Sequence, residues 1–409
     1  MIPVLNIKTL DDVEVKGKTV LVRVDFNSPV DPVTKKITDD TRIRTHAETT
    51  LKELMEKGAK VVVLAHQGRK GDPDFISLSA HAEVLKKILG SSVKFVDDIF
   101  GEKARSEINS LDEGELLLLE NVRMWDGETK KLSAEEHAKS EMVRALAPLV
   151  DVFVVDAFAA AHRTHASLVG FAPVVKEVVA GRVMERELRS LVKVLEEPER
   201  PCIYILGGAK AEDSADVVDS VLSKDRADYV LTGGLVANLF LKAKGYDLGK
   251  VNEDVLEKKG FMSLIPRIKE LLDKYPSKIV LPEDLAIDDG GRKEISISDL
   301  PTEKVIKDIG INTAKRYSEL IKDAKTIVMN GPMGVFEDKG FEVATKEVFT
   351  AISESNAFSL IGGGHTIAAA SKLGYLGKFS HVSTGGGALI EYLVKGTLPV
   401  IEVLKKYSR

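Results

Sequence analysis

The chain has 409 residues, 44% hydrophobic and 30% charged, with 58 Lys and Arg against 63 Asp and Glu, a formal net charge of −5. That balance excludes disorder as the main state and a protein that coats DNA or RNA, which needs a net basic face. The single cysteine, Cys202, rules out an intrachain disulfide and a multi-thiolate zinc site, and 6% aromatic residues with one Trp leave no aromatic platform for sugars or single strands.

In chain order, short Val-, Ile- and Leu-rich runs fall at residues 19–25, 60–65, 93–96, 115–120 and 152–156. A second set follows at 202–206, 229–231, 278–281, 326–329, 357–361 and 381–383. They do not alternate, which marks parallel strands buried on both faces. Helical patterns lie between them, for example at 44–57, 80–89, 134–147 and 341–353. The stretch VVKEVVAGRVMERELRSLVKVLEE, residues 174–197, is amphipathic, preceded by Pro173 and ended by Pro198 and Pro201. It reads as a helix joining two domains of similar size.

The expected fold is therefore α/β, with two doubly wound parallel-sheet, Rossmann-like domains at 1–173 and 198–399 joined by the helix at 174–197. The tail 400–409 is expected to pack back on the first. Residues 283–302 are polar and Gly/Asp-rich and read as a surface excursion of the second domain. No run approaches the roughly 18 apolar residues of a membrane span. The start, MIPVLNIKTLDD, lacks the basic and apolar regions of a signal peptide. A cytoplasmic protein with no membrane and no nucleic-acid partner is expected. One Gln and one Cys among many Lys and Glu lean towards a thermophilic source.

In parallel α/β sheets, ligands bind beyond the carboxyl ends of the strands, and the two halves differ in kind there. The first half carries Arg, His, Asp and Asn, in RVDFN (residues 23–27), LAHQGR (64–69), LENVR (119–123) and VVDAFAAAHRTH (154–165), with Arg42 after the turn ITDDTR. For any single arginine a solvated strand-end charge is the commoner reading. Four at one topological edge (Arg42, Arg69, Arg123 and Arg163) make a cationic cup, because each guanidinium offers a planar fork to carboxylate or phosphate oxygens. Arg23 is set aside because it lies within its strand. Glu120 and Asp156 sit at strand ends without an assignable partner.

The second half carries glycines, in ILGGAK (205–210), LTGG (231–234), MNGPMGVFE (329–337), IGGGHT (361–366) and STGGG (383–387). Glycine lets backbone amides turn towards an anion, and a helix start adds a positive dipole end. A lone Gly-Gly is more often a tight turn, but five runs suggest a polyphosphate with ribose and base attached. Lys210 would face the phosphates, and Glu337 is a candidate ribose acceptor, although an exposed helix-start carboxylate fits it equally well. Two ligands on two domains are the layout of a phosphoryl-transfer enzyme that closes on a hinge.

At these residues the chain resembles the phosphoglycerate kinase family, in its archaeal branch, nearly end to end. DFN with the Arg42 turn, H-x-GR, LLLENVR, DAFxxAHRxH, ILGGAK, NGPMGVFE, GGGxT and STGGGA occur in the family's order. The resemblance implies reversible transfer of the acyl phosphate of 1,3-bisphosphoglycerate to ADP, giving 3-phosphoglycerate and ATP, with Mg²⁺ bound to the nucleotide. It implies that Asp25, Asn27, Arg42, His66, Arg69, Arg123 and Arg163 hold the phosphoglycerate, with His162 beside them. Arg42 also reaches the transferring phosphoryl group, and Lys210 bridges towards the nucleotide phosphates. Glu337 takes the ribose, while Gly363, Gly364, His365 and Thr366 cradle phosphates. Gly233 and Gly234 border the adenine slot, and Asn330 lies in the NGPMGVFE run of the nucleotide site. The partners are these small molecules, and the assembly is a monomer or small homo-oligomer.

Two positions depart from the family pattern. The second lysine, four residues after Lys210, is Ser214, and the Asp expected after the three glycines is His365. Neutral imidazole is a poor ligand for Mg²⁺, which prefers oxygen, so the metal ligands on the protein are left unassigned. Two other readings remain at this stage. One is a two-domain NAD(P) dehydrogenase, against which stands the missing dinucleotide fingerprint. The other is a nucleotide-responsive binding protein silenced at Ser214 and His365.

Overall fold

A computed structural model describes residues 1–408. The chain divides into two compact units, Met1–Arg189 with the segment from Thr397 onward, and Ser190–Gly396. Each is built on a six-stranded parallel sheet.

The N-terminal sheet consists of β1 (Thr19–Arg23), β2 (Lys60–Leu64), β3 (Val93–Phe95), β4 (Leu116–Leu118), β5 (Val152–Val155) and β6 (Glu177–Ala180), in the order β3-β4-β2-β1-β5-β6. Nearly every residue of β1, β2, β4 and β5 is buried, which is why these strands read as continuous apolar runs rather than alternating ones. The chain leaves β1 and β5 towards opposite edges, so a crevice opens at their carboxyl ends.

The C-terminal unit contains β7 (Cys202–Leu206), β8 (Tyr229–Thr232), β9 (Ile279–Val280), β10 (Asp284–Asp288), β11 (Arg292–Ser296), β12 (Ile306–Ile309), β13 (Thr326–Asn330), β14 (Phe358–Gly362) and β15 (His381–Val382). Six of them form a second parallel sheet in the order β15-β14-β13-β7-β8-β9. The order reverses between β7 and β13, and the loops after them run in contact. A Cβ on Gly331, at φ +97°, would lie 2.1 Å from the Gly207 carbonyl oxygen, so only glycine fits this approach.

Three sequence expectations change. Residues 174–197 are not one helix: Glu177–Ala180 pairs in parallel with β5 as an edge strand, and the helix runs over Arg182–Leu191, followed by a wider turn at Val192–Glu196. The buried, β-branched Val178 and Val179 suit the sheet, and a short apolar run cannot be assigned to strand or helix by periodicity alone. Residues 134–147 split into helices Ala134–His137 and Glu141–Leu146, the second starting at Ser140, whose hydroxyl accepts from the Val143 amide at 3.5 Å. The region read as a surface excursion belongs to a three-stranded antiparallel sheet, β11-β10-β12. No helix among the described residues is long and apolar enough to cross a membrane.

Candidate active site

The loops after β1, β2 and β4 are locked together by two buried amides. Gln67 accepts from the Ser28 amide (2.8 Å) and donates to the Ser28 and Asp74 carbonyls (3.0 and 3.1 Å). Asn121 donates to the Gln67 and Ile76 carbonyls (2.8 and 3.0 Å). Glu120 accepts from Ser77 Oγ and the Leu78 amide, next to the start of helix Ser79–Leu89. On this frame the Gly68 amide donates to Asn27 Oδ1 (2.8 Å), and its carbonyl accepts from Arg123 Nη1 (2.7 Å).

Arg69, Arg123, Arg163 and His165 line one cavity of about 280 Å³, with Lys70, Trp125, Asp126 and Thr129 on its rim. Lys70 pairs with Asp126. Arg123 is largely buried and its pKa is pushed down to about 10, first by burial and then by Arg23 and Arg163. Burial, then Arg123, Arg23 and Arg163, hold His165 at about 3. Cations gathered this closely, with little opposing charge, favour an anion.

Arg23, set aside from the sequence, lies fully buried under this cluster. Its Nε donates to Ser167 Oγ (2.7 Å), and Glu128 Oε2 sits 3.8 Å from Nη2. Glu128 in turn accepts from the Ser167 hydroxyl and amide (2.6 and 2.7 Å). Arg23 Nη2 meets His66 Nδ1 at 3.0 Å. A guanidinium only donates, so Nδ1 accepts and the neutral ring carries its proton on Nε2. Burial, then Arg23, Arg123 and Arg163, hold the His66 pKa well below the ordinary value.

Arg42 and His46 sit one turn apart on helix Thr41–His46, and both engage Asp25. Arg42 Nη1 donates to Asp25 Oδ2 (3.0 Å), while His46 Nε2 accepts from the Asp25 amide (3.2 Å). The His46 proton is thus on Nδ1, 2.7 Å from Asp156 Oδ2. Asp156 Oδ1 accepts from the amides of Val183 and Met184 (3.0 and 3.3 Å), in the first turn of helix Arg182–Leu191. Asp156, which had no partner in the sequence, joins that helix to Asp25. Arg163 Nε lies 3.5 Å from His162 Nε2.

In the C-terminal unit a cavity of about 170 Å³ is walled by Gly208, Gly234, Leu235, Pro332, Val335 and Phe336, and also takes in Glu337 and His365. The small antiparallel sheet supplies one wall. Lys307 binds Asp288 and Asp338 (2.8 and 2.9 Å), and Arg292 binds Asp308 and the Gly340 carbonyl (2.7 and 2.8 Å). Burial pushes Asp308 up to about 7 against the pull of Arg292.

The glycine runs divide into two kinds. The amides of Gly207, Gly208, Gly233 and Gly234 donate to carbonyls of neighbouring loops, at Asn330, Pro332, Leu206 and Met333, so they are spent on holding those loops together. Helix Gly364–Leu373 instead leaves the amides of Gly364, His365 and Thr366 without partners inside the helix. Thr366 is buried and its hydroxyl accepts from the Gly331 amide (2.6 Å). Gly363 approaches Asn330 so closely that a Cβ would lie 2.6 Å from its Oδ1. Lys210 is exposed before helix Ala211–Ser223, whereas Ser214 is buried one turn on with its hydroxyl unpartnered. Ser214 therefore supplies no replacement for the absent charge.

Of the residues expected to bind phosphoglycerate, Arg69, Arg123 and Arg163 share the cup cavity, while Asp25, Asn27 and His66, on the loops after β1 and β2, and Arg42, on helix Thr41–His46, do not line it. Of those expected to bind nucleotide, Gly234, Glu337 and His365 line the second cavity; Lys210, Gly233, Asn330, Gly363, Gly364 and Thr366 do not. Sequence reading missed Arg23, Trp125, Thr129, Asn238 and Asp308. The place of Arg23 two residues before Asp25 was the one available signal.

A family model described as phosphoglycerate kinase matches residues 10–396. The phosphoglycerate kinase of Methanothermobacter thermautotrophicus is 50% identical over 99% of this chain and 98% of its own length. That of Methanococcus maripaludis is 51% identical over 97% and 98%. A crystal structure of phosphoglycerate kinase from Pyrococcus horikoshii covers 98% of this chain and 100% of its own, at 42% identity and a TM-score of 0.88. A Coxiella burnetii structure covers the same shares at 32% and 0.85. With two parallel α/β units and this agreement over nearly its whole length, the chain belongs to the phosphoglycerate kinase family, phosphotransferases of glycolysis.

Proposed function

We propose that the N-terminal unit holds 3-phosphoglycerate or 1,3-bisphosphoglycerate in the arginine cup and that the C-terminal unit holds ADP or ATP at the switch between β7 and β13. The convergence of Arg69, Arg123 and Arg163 on one cavity carries this reading. Asp25 and Asn27 complete the acidic substrate's site. His66 donates from Nε2, and His162 lies beside Arg163.

Arg42 has 45% of its side chain exposed and is steadied by Asp25. In this reading it neutralises the equatorial oxygens of the phosphoryl group in transfer, while Lys210 serves the nucleotide phosphates. Little covalent work falls to the protein; it aligns donor and acceptor and offsets charge. Each substrate has its own unit, so transfer waits until both are loaded and water is displaced, which spares the acyl phosphate from hydrolysis.

The residues near the nucleotide cavity do not fit a protein-held Mg²⁺. His365 offers nitrogen to a metal that prefers oxygen, and no cluster of three His, Cys, Asp or Glu suited to a metal occurs among the described residues. Mg²⁺ therefore enters as part of the nucleotide substrate. A coupled assay tests the reading: ATP and 3-phosphoglycerate should drive NADH oxidation by an added glyceraldehyde-phosphate dehydrogenase. No oxidation with both substrates and Mg²⁺ present would overturn it.

A further inference from the structure

The helix Gly234–Lys244 borders the C-terminal cavity, and Asn238, one turn after Gly234, lines it as well. Asn238 is only 4% exposed. Asp308, the other buried polar side chain in this wall, is fully engaged by Arg292 (2.7 Å) and by the amides of Ile309 and Ala344 (2.9 and 3.1 Å). Lys307 is held by two aspartates. The Asn238 amide makes no hydrogen bond with any described residue, although it sits among Leu235, Ile306 and Phe336. Its amide atoms are not sealed from solvent, and the cavity that Asn238 lines is where a partner would come from.

We propose that Asn238 binds the polar edge of the nucleobase and serves 6-amino and 6-oxo purines alike; this rests on the nucleotide reading of the cavity. The slot of glycine, proline and aliphatic side chains suits a flat ring. An Asn amide offers one acceptor beside two donors, the complement of adenine's amino group and neighbouring ring nitrogen. No protein partner fixes which way the amide faces. It can accept from a 6-amino group or, turned over, donate to a 6-oxo group.

The test is calorimetric titration of ADP, inosine diphosphate, tripolyphosphate and 3-phosphoglycerate into the wild type, Asn238→Leu and Asn238→Asp. Asn238→Leu should weaken both nucleotides about tenfold and leave tripolyphosphate and 3-phosphoglycerate unchanged. Asn238→Asp, which only accepts, keeps the bond from the 6-amino group but loses the one to the ring nitrogen, so it should weaken inosine diphosphate more than ADP. Unchanged nucleotide affinity in Asn238→Leu, an unchanged ADP-to-IDP ratio in Asn238→Asp, or equal weakening of tripolyphosphate would overturn the proposal. Val335→Trp, which fills the cavity, separates the two levels. If it leaves ADP binding intact, the base lies elsewhere and the reading of the cavity fails. If it abolishes ADP binding while Asn238→Leu does not, only the role of Asn238 fails.

Discussion

In the N-terminal unit, arginines from the loops after β2, β4 and β5 meet in one cup, and a layer of buried hydrogen bonds through Arg23, Glu128, Ser167, His46 and Asp156 holds that site in place. In the C-terminal unit the cavity is mostly backbone and apolar side chain; of its charged neighbours, Asp308 is paired with Arg292 and Lys307 with Asp288 and Asp338. The first site is organised by charge and the second by shape. The contrast suits an acidic three-carbon substrate, whose every end is an anion, and a nucleotide, whose base carries no charge. It also implies that damage to the first should fall on phosphoglycerate alone.

The largest expected effect is at Arg42. Arg42→Ala should lower kcat by about 10²–10³, the ~3–4 kcal/mol typical of losing one transition-state donor, with a smaller rise in KM for 3-phosphoglycerate. Steady-state kinetics decides; a large KM rise with kcat intact would make Arg42 a binding residue only. Next comes Asp156→Asn, which removes a buried charge accepting from His46 and two helix amides. A loss of about 2–3 kcal/mol is expected, seen as a Tm lower by roughly 5–10 °C, with the KM for 3-phosphoglycerate raised and ADP binding unchanged.

Ser167→Ala is milder. It removes the acceptor of Arg23 Nε and should raise KM for 3-phosphoglycerate about fivefold, the equivalent of ~1 kcal/mol. Long-range ¹H–¹⁵N spectra should show a second tautomer of His66 in the variant and only the Nε2–H form in the wild type. The last effect concerns pH and falls on stability rather than on turnover. His165 has a folded pKa of about 3 against an ordinary 6.5, so between those values only the unfolded chain binds the proton. Its contribution is complete above about 6.5 and is lost as pH falls towards 3, and His66 acts in the same direction. Denaturant titrations of His165→Gln should show a shallower acid limb than the wild type.

Much of this comparison was legible before any coordinates. Charge in the loops after strands is local information: Arg69, Arg123 and Arg163 each lie in the loop that follows an apolar run, so topology alone brings them to one edge. The supporting layer was hidden because its partners are far apart in sequence. Arg23 and Ser167 are 144 residues apart, and His46 and Asp156 are 110. A buried arginine inside a strand looks, in sequence, like an exposed one. The glycine runs hid a different distinction, since Gly-Gly whose amides tie neighbouring loops together and glycine that bares a helix start have the same letters. β6 was lost because VV at 178–179 joins smoothly to the helical period that follows. The antiparallel sheet whose β12 walls the second cavity was read as a surface excursion because its β11 is polar and largely exposed, and strands of that kind carry no hydrophobic signature.

The division of labour between the two units is tested most directly by calorimetric titration of Arg123→Ala with each substrate separately. Arg123 lines the cup and is bonded to the Gly68 carbonyl. The expected result is 3-phosphoglycerate bound at least tenfold more weakly, as for loss of a charge-assisted hydrogen bond worth about 1.5–3 kcal/mol, with the ADP dissociation constant unchanged. Equal weakening of both ligands, or of ADP alone, would contradict the two-site account.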